Sequence, residues 1–406
     1  MIAIAIAIPV FLATMFVEWR LLLRRGDSDY RLDDTFSNLA CGIGSQIWGA
    51  LTAIVSWFAY SLIYDSVQVF EWWTGDALGW CIAILGIDFS YYWFHRISHR
   101  VRLFWSFHVV HHQSEGYNLS VALRQSWFGG FLSWVFYIPW LMLGIPPAVL
   151  VGAKLVNLLY QYWIHTRLIA QLPWGLEWVM SSPSNHRVHH GRDDRSLDTN
   201  YGGIFIIWDR IFGTYVPEES EPLYGTVSPI KSWDPVHANL EGLQNIVAYW
   251  RYSDSWGDRF RSVFGPPEWV PSNVETTSGP RESLYLSDAN SQGYIAIYVL
   301  VQFFLSTGWL LWWLSGQGHQ HGFASACLAC STIVGLWAWG ALFGKRYQAW
   351  RRLEFCRLIF LAVGLMSYPA LGVWGLISAA LLGGYGLVVE FRLRKEKGLK
   401  EATNCP

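Results

Sequence analysis

Charged residues are scarce in this chain. They make up 15% of its 406 positions, whereas a typical soluble domain carries about 25%. The formal net charge is −1, which gives no bulk electrostatic attraction to nucleic acid, so we expect no nucleic-acid partner. Hydrophobic residues reach 52%, and the mean hydropathy is +0.23. These proportions argue against an ordinary soluble domain and favour a protein embedded in a membrane.

Cysteine is also sparse. The six cysteines are scattered, most of them in apolar segments, and they lack the spacing of a disulfide framework. Cys327 and Cys330 form a CxxC motif, but it lies inside an apolar run and has no second pair. We therefore interpret the cysteines as small buried hydrophobic residues, and a zinc or redox site at this motif is the weaker alternative.

No basic residue precedes the first apolar stretch, although a cleaved signal peptide would carry one there. We interpret residues 2–17 as a retained membrane helix, which residues 19–23 extend towards the ~20 residues of a full span. Glycine and proline at 144–147, and Pro369, predict breaks within the two longest of the later stretches. These later apolar stretches cover residues 39–64, 78–94, 127–164, 294–314, 323–343 and 358–389.

Lysine and arginine follow alternate apolar stretches, and the loops at 65–76 and 315–322 contain neither residue. Cytoplasmic loops carry the excess of basic residues, so we expect the N-terminus outside and the basic loops in the cytoplasm. The polar segment 166–290 is then cytoplasmic as well. The membrane would be the inner membrane of a bacterium or the endoplasmic reticulum of a eukaryote.

The sequence therefore predicts an all-α, multi-pass membrane helical bundle with a cytoplasmic, histidine-rich cap that holds two metals. Residues 1–34 form an N-terminal membrane helix and a basic loop in this interpretation. Residues 35–290 form the catalytic domain, with membrane helices and the cap. Residues 291–406 form C-terminal membrane helices and a basic tail. The chain shows no internal repeat.

Eight of the 12 histidines fall into three clusters with metal-ligand spacing. Residues four apart share one helix face, so the pair in HxxxH and the outer pair in each HxxHH can grip one ion. The middle histidine of HxxHH points in a neighbouring direction, towards a second ion. One metal needs three or four imidazoles, so eight of them predict two metals held close together. The clusters are His95 and His99, then His108, His111 and His112, then His186, His189 and His190.

Four histidines lie outside these clusters. His165 ends the apolar hairpin at 127–164 on the side of the clusters, and it is either a ninth ligand or a residue that supports the ligands. His237 lacks ligand spacing, and we interpret it as structural. His319 and His321 lie in the loop on the opposite side of the membrane, where we interpret them as ordinary loop residues.

Nitrogen ligands for two metals beside a membrane indicate oxygen activation on a lipid. A C–H bond in an alkyl chain offers no handle for acid–base chemistry, so the difficult step belongs to the metal and dioxygen. Iron changes oxidation state and can attack such a bond, whereas zinc cannot. We therefore expect two iron ions, dioxygen, a lipid substrate and an external electron donor or reductase.

Three motifs carry a resemblance to a known family. DFSYYWFHRISH (88–99), HVVHH (108–112) and SNHRVHHG (184–191) resemble the fatty acid hydroxylase/sterol desaturase superfamily. YNLSVALRQS (117–126) and IIWDRIFGT (206–214), with LYQYWIHT at 159–166, are similar to its alkylglycerol monooxygenase branch. The resemblance covers about residues 35–240. It implies that the clustered histidines bind a di-iron centre.

The branch also implies a reaction, because its animal members use tetrahydrobiopterin to cleave the ether bonds of alkylglycerols. This chain departs from them at two positions beside ligand histidines. Arg100 and Arg167 stand where the animal enzymes carry glutamate. We interpret the two arginines as a positive rim that favours a substrate with an anionic head group. Arginines that face solvent and do not affect selectivity are the alternative.

Several polar residues are candidates for support of the ligands. Asp88 lies seven positions before His95 on the same helix face, and we expect it to hydrogen-bond a ligand histidine. A hydrogen bond between helices is the alternative role for Asp88. The other candidates have equally plain alternatives, namely polar packing for the asparagines and a solvated loop position for the glutamate. They are Glu115, Asn118, Asn157 and Asn185.

Two other functions use the same residues. The metal core also suits a hydroxylase or desaturase that acts on sterols, fatty acyl chains or carotenoids. A membrane metal-binding or transport protein is less compatible, because transporters place ionisable ligands near the bilayer midplane. Here the histidine clusters lie at the ends of apolar stretches.

Overall fold

A computed structural model of the chain describes residues 2–27, 30–70, 75–274, 293–314, 322–367 and 372–403. Within these ranges the secondary structure is helical, and the only β-type pairings are two isolated bridges, Met180 with Phe205 and Gly191 with Tyr224. The all-α class predicted from the sequence is confirmed.

The helices are numbered in chain order. They are α1 (Ile2–Arg24), α2 (Leu32–Val67), α3 (Ala77–Arg100), α4 (Arg102–His112), α5 (Gly130–Ser133), α6 (Ile138–Met142), α7 (Pro147–Trp163), α8 (Trp174–Val179), α9 (Pro183–His189), α10 (Ile207–Phe212), α11 (Pro235–Tyr252), α12 (Trp256–Phe264), α13 (Gly293–Leu314), α14 (Gly322–Phe343), α15 (Tyr347–Met366) and α16 (Gly372–Thr403). Short 3-10 helices cover Val121–Leu123 and Trp134–Tyr137.

Four of the described helices are long and apolar enough to cross a membrane, which confirms the multi-pass prediction. The apolar core of a bilayer needs about 20 residues of helix, and each of the four meets that length. α2 adds a fifth span if its two arms, Leu32–Ala50 and Thr52–Val67, which meet at 45°, cross together. The four spans are Ala3–Arg24, Ala77–Arg100, Gly293–Leu314 and Gly322–Phe343.

The break predicted at 144–147 is present. α6 ends at Met142 and α7 begins at Pro147. Gly144 takes a φ of +95° between them, which a residue with a Cβ rarely adopts. Pro147 occupies the first turn of α7, where its missing N–H costs nothing. The second predicted break, at Pro369, lies outside the described residues, as do His319, His321 and Cys405.

A buried apolar cluster fixes the hairpin against α2 and α3. Its members come from these helices and both arms of the hairpin, and they include Tyr60, Ala83, Leu141 and Leu150. The helices approach closely at Gly86, where an added Cβ would lie 2.6 Å from the ring of Trp140. This packing positions the C-terminal ends of α3 and α7 beside each other, and both ends carry candidate ligands.

The chain forms two compact units. One comprises Phe11–Lys231 and His237–Tyr285, and it contains all nine candidate ligand histidines. The other comprises Met1–Val10, Ser232–Val236 and Leu286–Pro406. The three-part division into 1–34, 35–290 and 291–406 stays a prediction.

The second unit contains α13 to α16 and a buried ion pair. Arg357 donates to Glu354 from Nε at 2.8 Å and from Nη2 at 2.6 Å. The hydroxyl of Tyr298 donates to the same carboxylate. Pairing of this kind is what allows charged side chains to be buried in a bundle. Cys327 and Cys330 both lie on α14 as free thiols, the first buried and the second exposed.

The sidedness predicted from the basic loops can be tested by labelling. Glu219 is an exposed position in the polar segment, and Val69 is 64% exposed beyond the other end of α2. Cysteines introduced at these two positions, with Cys81, Cys330, Cys356 and Cys405 replaced by serine, should react with a membrane-impermeant maleimide from opposite sides. Labelling of both positions from one side would contradict the predicted topology.

Candidate metal centre

The structure brings nine histidines together in two groups. Within each group one ligand nitrogen per residue lies within 4.8 Å of all the others. The first group, called group A, contains His95, His99, His108, His112 and His189. The second, called group B, contains His111, His165, His186 and His190. His165, which follows α7, joins the eight clustered histidines.

Helix geometry explains which residue enters which group. The four-residue spacing in α3 aligns His95 with His99 in group A. The same spacing in α4 sends His108 and His112 to group A, and the middle residue, His111, turns to group B. The third motif is reversed: its outer residues, His186 and His190, lie in group B, and His189 lies in group A. α4 and α9 therefore each contribute to both groups.

The spacing of the nitrogens suits a metal ion. In group A, Nε2 of His108 lies 3.0 Å from that of His95 and 3.1 Å from that of His112. In group B the Nε2 atoms of His111 and His190 are 3.0 Å apart. Ligands that each lie about 2.1 Å from one ion are separated by about 3.0–3.4 Å in octahedral or tetrahedral arrangements. The two groups thus present donor sets that fit one ion each.

The other nitrogen of several rings is held by a backbone carbonyl, which fixes the tautomer and turns Nε2 inward. In group A, His95 Nδ1 donates to Tyr201 O at 2.8 Å, and His189 Nδ1 donates to Thr199 O at 2.9 Å. Group B shows the same arrangement, with His111 Nδ1 on the Arg124 carbonyl at 3.1 Å and His165 Nδ1 on the Gln161 carbonyl at 2.8 Å. These carbonyls come from separate parts of the chain.

Burial keeps these imidazoles uncharged. It lowers the pKa of His111 to about 4. Burial, together with the neighbouring imidazoles, also lowers the pKa of His108, His186 and His190 well below the usual value. A neutral imidazole is the form that binds a metal, so the rings are ready for an ion near neutral pH.

Asp198 is a supporting carboxylate that the sequence analysis missed. Its Oδ1 lies 3.4 Å from Nδ1 of His99, and its Oδ2 accepts from Arg100 Nη1 at 2.5 Å. Burial alone would raise the pKa of Asp198, but His99 and Arg100 outweigh that effect and lower it. The carboxylate therefore stays ionised beside a ring of group A. Asp198 sits in a loop with a φ of +59°, and no sequence spacing relates such a loop to the clusters.

Asp88 differs from its predicted role. It accepts hydrogen bonds from Asn157 Nδ2 and the Ile204 N–H, both at 2.6 Å, and from Trp208 Nε1 at 2.8 Å. No histidine is among the hydrogen-bond partners found for it in the described part of the chain. Seven helical residues rise about 10 Å, which is too far for a direct bond from Asp88 to His95.

Asp88 instead supports one histidine of each group indirectly, through residues that it holds by hydrogen bonds. On one side it holds the segment that follows Tyr201, whose carbonyl accepts from His95. On the other side it holds Asn157, which accepts from Gln161, the residue whose carbonyl accepts from His165. The predicted candidate Asn157 thus belongs to this same chain of contacts. Gly203 fits against it only without a side chain, since a Cβ would lie 2.7 Å from Asp88 Oδ1.

The remaining candidates from the sequence analysis lie in different local environments. Asn118 is buried, and its Oδ1 accepts from the N–H of Ser120 at 3.0 Å, which shapes a turn. The carbonyl of Asn185, within α9, accepts from Asn200 at 3.0 Å. Glu115 is partly buried near Gly225. His237 lies outside both groups.

Arg167 is ion-paired, as Arg100 is. Its Nη1 lies 2.8 Å from Asp27, and its Nε lies 2.6 Å from Glu221. The positive charge expected at these two positions is therefore partly offset by acidic partners, which the sequence alone did not associate with them.

Arg124 is a second residue that the sequence analysis did not single out. Its guanidinium is buried and donates to the Val110 carbonyl at 2.7 Å and to Gln113 Oε1 at 2.9 Å. Its own carbonyl accepts from His111. Arg124 therefore fixes the end of α4, where the HxxHH motif lies. It falls within the 117–126 segment that carries part of the family resemblance, and no spacing rule marks it as a support.

A cavity of about 600 Å³ adjoins group A. His99, His112 and His189 line one wall. Trp105 and Tyr249 provide apolar surface, and Arg102, Glu241 and Glu268 provide charge. Ligand pockets are typically of this size and mixed character.

The chain is similar to known proteins over the region that carries groups A and B. The fatty acid hydroxylase family model matches residues 80–214. Alkylglycerol monooxygenase from Homo sapiens is 37% identical over 309 residues, which cover 74% of this chain and 68% of that protein. The Danio rerio protein of that name is 36% identical over 310 residues, with the same two shares. The Caenorhabditis elegans protein of that name is 26% identical over 391 residues, which cover 89% and 77%. No solved structure matches the chain at a significant level.

The role of Asp198 leads to a prediction for metal affinity. Asp198→Asn keeps an acceptor for His99 but removes the charge, so metal should be bound about 10–100-fold more weakly. Metal retained per chain during titration with a chelator measures this. Asp194→Asn, an exposed change in the same loop, is the matched control. Equal retention in all three proteins would contradict a role for Asp198 in holding His99.

Proposed function

The chain belongs to the alkylglycerol monooxygenase family, and from this premise we propose that groups A and B hold a di-iron centre for lipid hydroxylation with dioxygen. The protein is a membrane-bound oxidoreductase, a monooxygenase that acts on lipid. The observation that carries the di-iron proposal is the division of nine histidines, eight of them buried and His108 partly buried, into two donor sets. Each set has enough neutral nitrogens for one ion. α4 and α9 each contribute different rings to both sets.

Bound iron would supply the oxidising power, with dioxygen, to break an unactivated C–H bond. The chain itself does the positioning. Carbonyls of Tyr201, Arg124 and Gln161 hold the rings with Nε2 inward. The Asp198 carboxylate stabilises His99 as an electron-rich ligand. Burial of eight of the nine histidines limits contact of the rings with water, which protects a reactive centre from side reactions.

The substrate we propose is an ether lipid with a single long alkyl chain, or a similar lipid with a polar head. Hydroxylation of the carbon next to an ether oxygen replaces its C–H by C–OH, and the resulting hemiacetal separates into an aldehyde and an alcohol. One oxygen atom of O2 enters the product, and the other leaves as water with two electrons and two protons from a donor. The donor we propose by family resemblance is tetrahydrobiopterin.

The cavity beside group A is the place we propose for the polar reactants. Its volume of about 600 Å³ suits a pterin or a lipid head group. Glu241 lines it, and Gln113 Nε2 donates to its Oε2 at 2.9 Å, which orients the carboxylate and leaves Oε1 for an N–H donor of a ligand. We place this cavity on the cytoplasmic side, as the basic loops predict.

Metal analysis together with turnover tests the function. Protein purified in nanodiscs should contain about two irons per chain, because nine imidazoles exceed the need of one ion. With dioxygen and tetrahydrobiopterin it should convert an alkylglycerol to a fatty aldehyde. His189→Ala, which opens group A, and His111→Ala, which opens group B, should each lose iron and abolish turnover. His237→Ala, a change outside both groups, serves as the control.

Two results would overturn the proposal. One is a fully active preparation with a single metal or with zinc alone. The other is near-normal turnover in His111→Ala or His189→Ala. If iron is bound but alkylglycerol is not consumed, the metal centre stands and the ether-lipid substrate falls. Oxygen uptake with sterols, fatty acyl lipids or carotenoids would then identify the substrate class.

Arg100 and Arg167 remain our proposed residues at the substrate rim. Arg100 has 54% of its side chain exposed and can exchange its acidic partner for a phosphate or carboxylate on a lipid. Exposed ion pairs are worth up to about 1 kcal/mol, so the effect on substrate choice should be moderate.

We expect the double change Arg100→Gln with Arg167→Gln to lower the preference for a phosphorylated alkylglycerol over the neutral one by about fivefold. Arg195→Gln is the matched control, since Arg195 pairs with Glu219 and lies outside both histidine groups. The measurement is the ratio of kcat/KM values for the two lipids. A ratio that is the same in all three proteins would remove the arginines from substrate selection.

A further inference from the structure

α12 carries an exposed row of aromatic side chains. Trp256, Phe260 and Phe264 are spaced four residues apart, so they lie along one side of the helix. They are 74%, 64% and 47% exposed. The opposite side of the helix is buried at Ser262. Three large aromatic rings in a row form an apolar ridge that a water-facing helix would not keep.

The position of α12 relates it to the membrane. α3, a membrane-spanning helix, ends at Arg100, and α4 begins two residues later at Arg102. The backbone N–H of Arg102 donates to the carbonyl of Gly265, the residue that follows α12, at 2.9 Å. The depth of α12 relative to the bilayer is thus fixed by the end of the spanning helix α3.

The side chain of Arg102 makes this connection rigid. It is buried, and its Nη2 donates to Pro267 O at 2.8 Å and to Pro266 O at 3.2 Å. Its guanidinium lies 4.4 Å from the ring centre of Tyr249 in α11. Arg102 therefore contacts the chain on both sides of α12, at Tyr249 in α11 and at the prolines that follow α12.

The charges of α12 complement a lipid surface. Arg259 and Arg261 flank the aromatic row, and the guanidinium of Arg259 lies 4.9 Å from the ring centre of Trp256. The single acidic residue of the helix, Asp258, accepts from Ser255 Oγ at 2.8 Å at the helix start. Aromatic rings on one side with arginines beside them are the composition of a helix that lies in the head-group layer.

We propose that α12 lies in the lipid–water interface of the bilayer that the protein spans, with Trp256, Phe260 and Phe264 inserted among the lipids. The partner of this helix face is the bilayer surface. It has a consequence for the site, because Tyr249 before α12 and Pro267 and Glu268 after it line the cavity beside group A. An inserted α12 holds the mouth of that cavity at the depth of lipid head groups. The proposal rests on the fold and not on the chemistry of the metals.

Depth-dependent quenching tests this position. The protein carries Phe260→Cys labelled with an environment-sensitive dye, in a background where Cys81, Cys330, Cys356 and Cys405 are serine. Nanodiscs contain equal parts of phosphatidylcholine and phosphatidylglycerol, with a nitroxide placed high on the acyl chain or near its end. Asp194→Cys, an exposed polar loop position, carries the same dye as the control. Trp256→Cys is a second position on the row.

The shallow nitroxide should quench the dyes at Phe260 and Trp256 several-fold more than the dye at Asp194. It should also quench them more than the deep nitroxide does, because an interfacial helix inserts only about 5–10 Å. Aqueous iodide should quench the dye at Asp194 more strongly than the dyes on α12.

Quenching of the dyes at Phe260 and Trp256 by iodide alone would show a water-facing helix and overturn the proposal. Protection from both quenchers would show a face covered by protein, such as a second copy, and would overturn it as well. Metal content per chain confirms folding of each variant, and none of these readouts requires turnover.

Discussion

Nine imidazole rings can offer ligands in two small spaces only if every ring is uncharged and turns one nitrogen inward. This constraint governs the rest of the first unit. For four of the rings Nδ1 donates to a backbone carbonyl, which comes from α7 or from the loops around 124, 199 and 201. The loops are therefore part of the centre as much as the helices, since a shift of one carbonyl would release one ring.

The same constraint explains why so many polar supports are buried. Nitrogen lone pairs that converge at about 3 Å are favourable when a cation lies between them, so the rings must be held in place by the surrounding chain. Asp88 and Arg124 contribute to this by tying together the segments that carry the rings. Glu18 of α1 adds a further connection, because it accepts from the Leu119 N–H at 2.8 Å. The first membrane helix is thereby joined to the segment that follows the HxxHH motif of α4.

Helix periodicity allowed the histidine pairs to be read from the sequence, because residues four apart must share a face. It placed His108 with His112 and His186 with His190, and it sent the middle residues elsewhere, as the structure does. Loop residues follow no such rule. Asp198 and the carbonyl of Tyr201 reach their rings through turns whose direction the sequence does not encode in any spacing. The polar segment 166–290 contains α8 to α12, which the sequence analysis did not predict, since four of these helices have nine residues or fewer and short helices give a weak periodic signal.

α4 and α9 differ from α3 in how tolerant they can be of changes in length. An α-helix turns by about 100° per residue, so one residue inserted between His108 and His112 would rotate part of α4 out of both groups at once. The same insertion between His95 and His99 in α3 would disturb group A alone, since α3 contributes no member to group B. The positions of ligands in both groups therefore depend on the same helical register of α4. Variation in this protein can accumulate by substitution around the motifs of α4 and α9, but an insertion or deletion within either motif would dismantle the whole centre in one step.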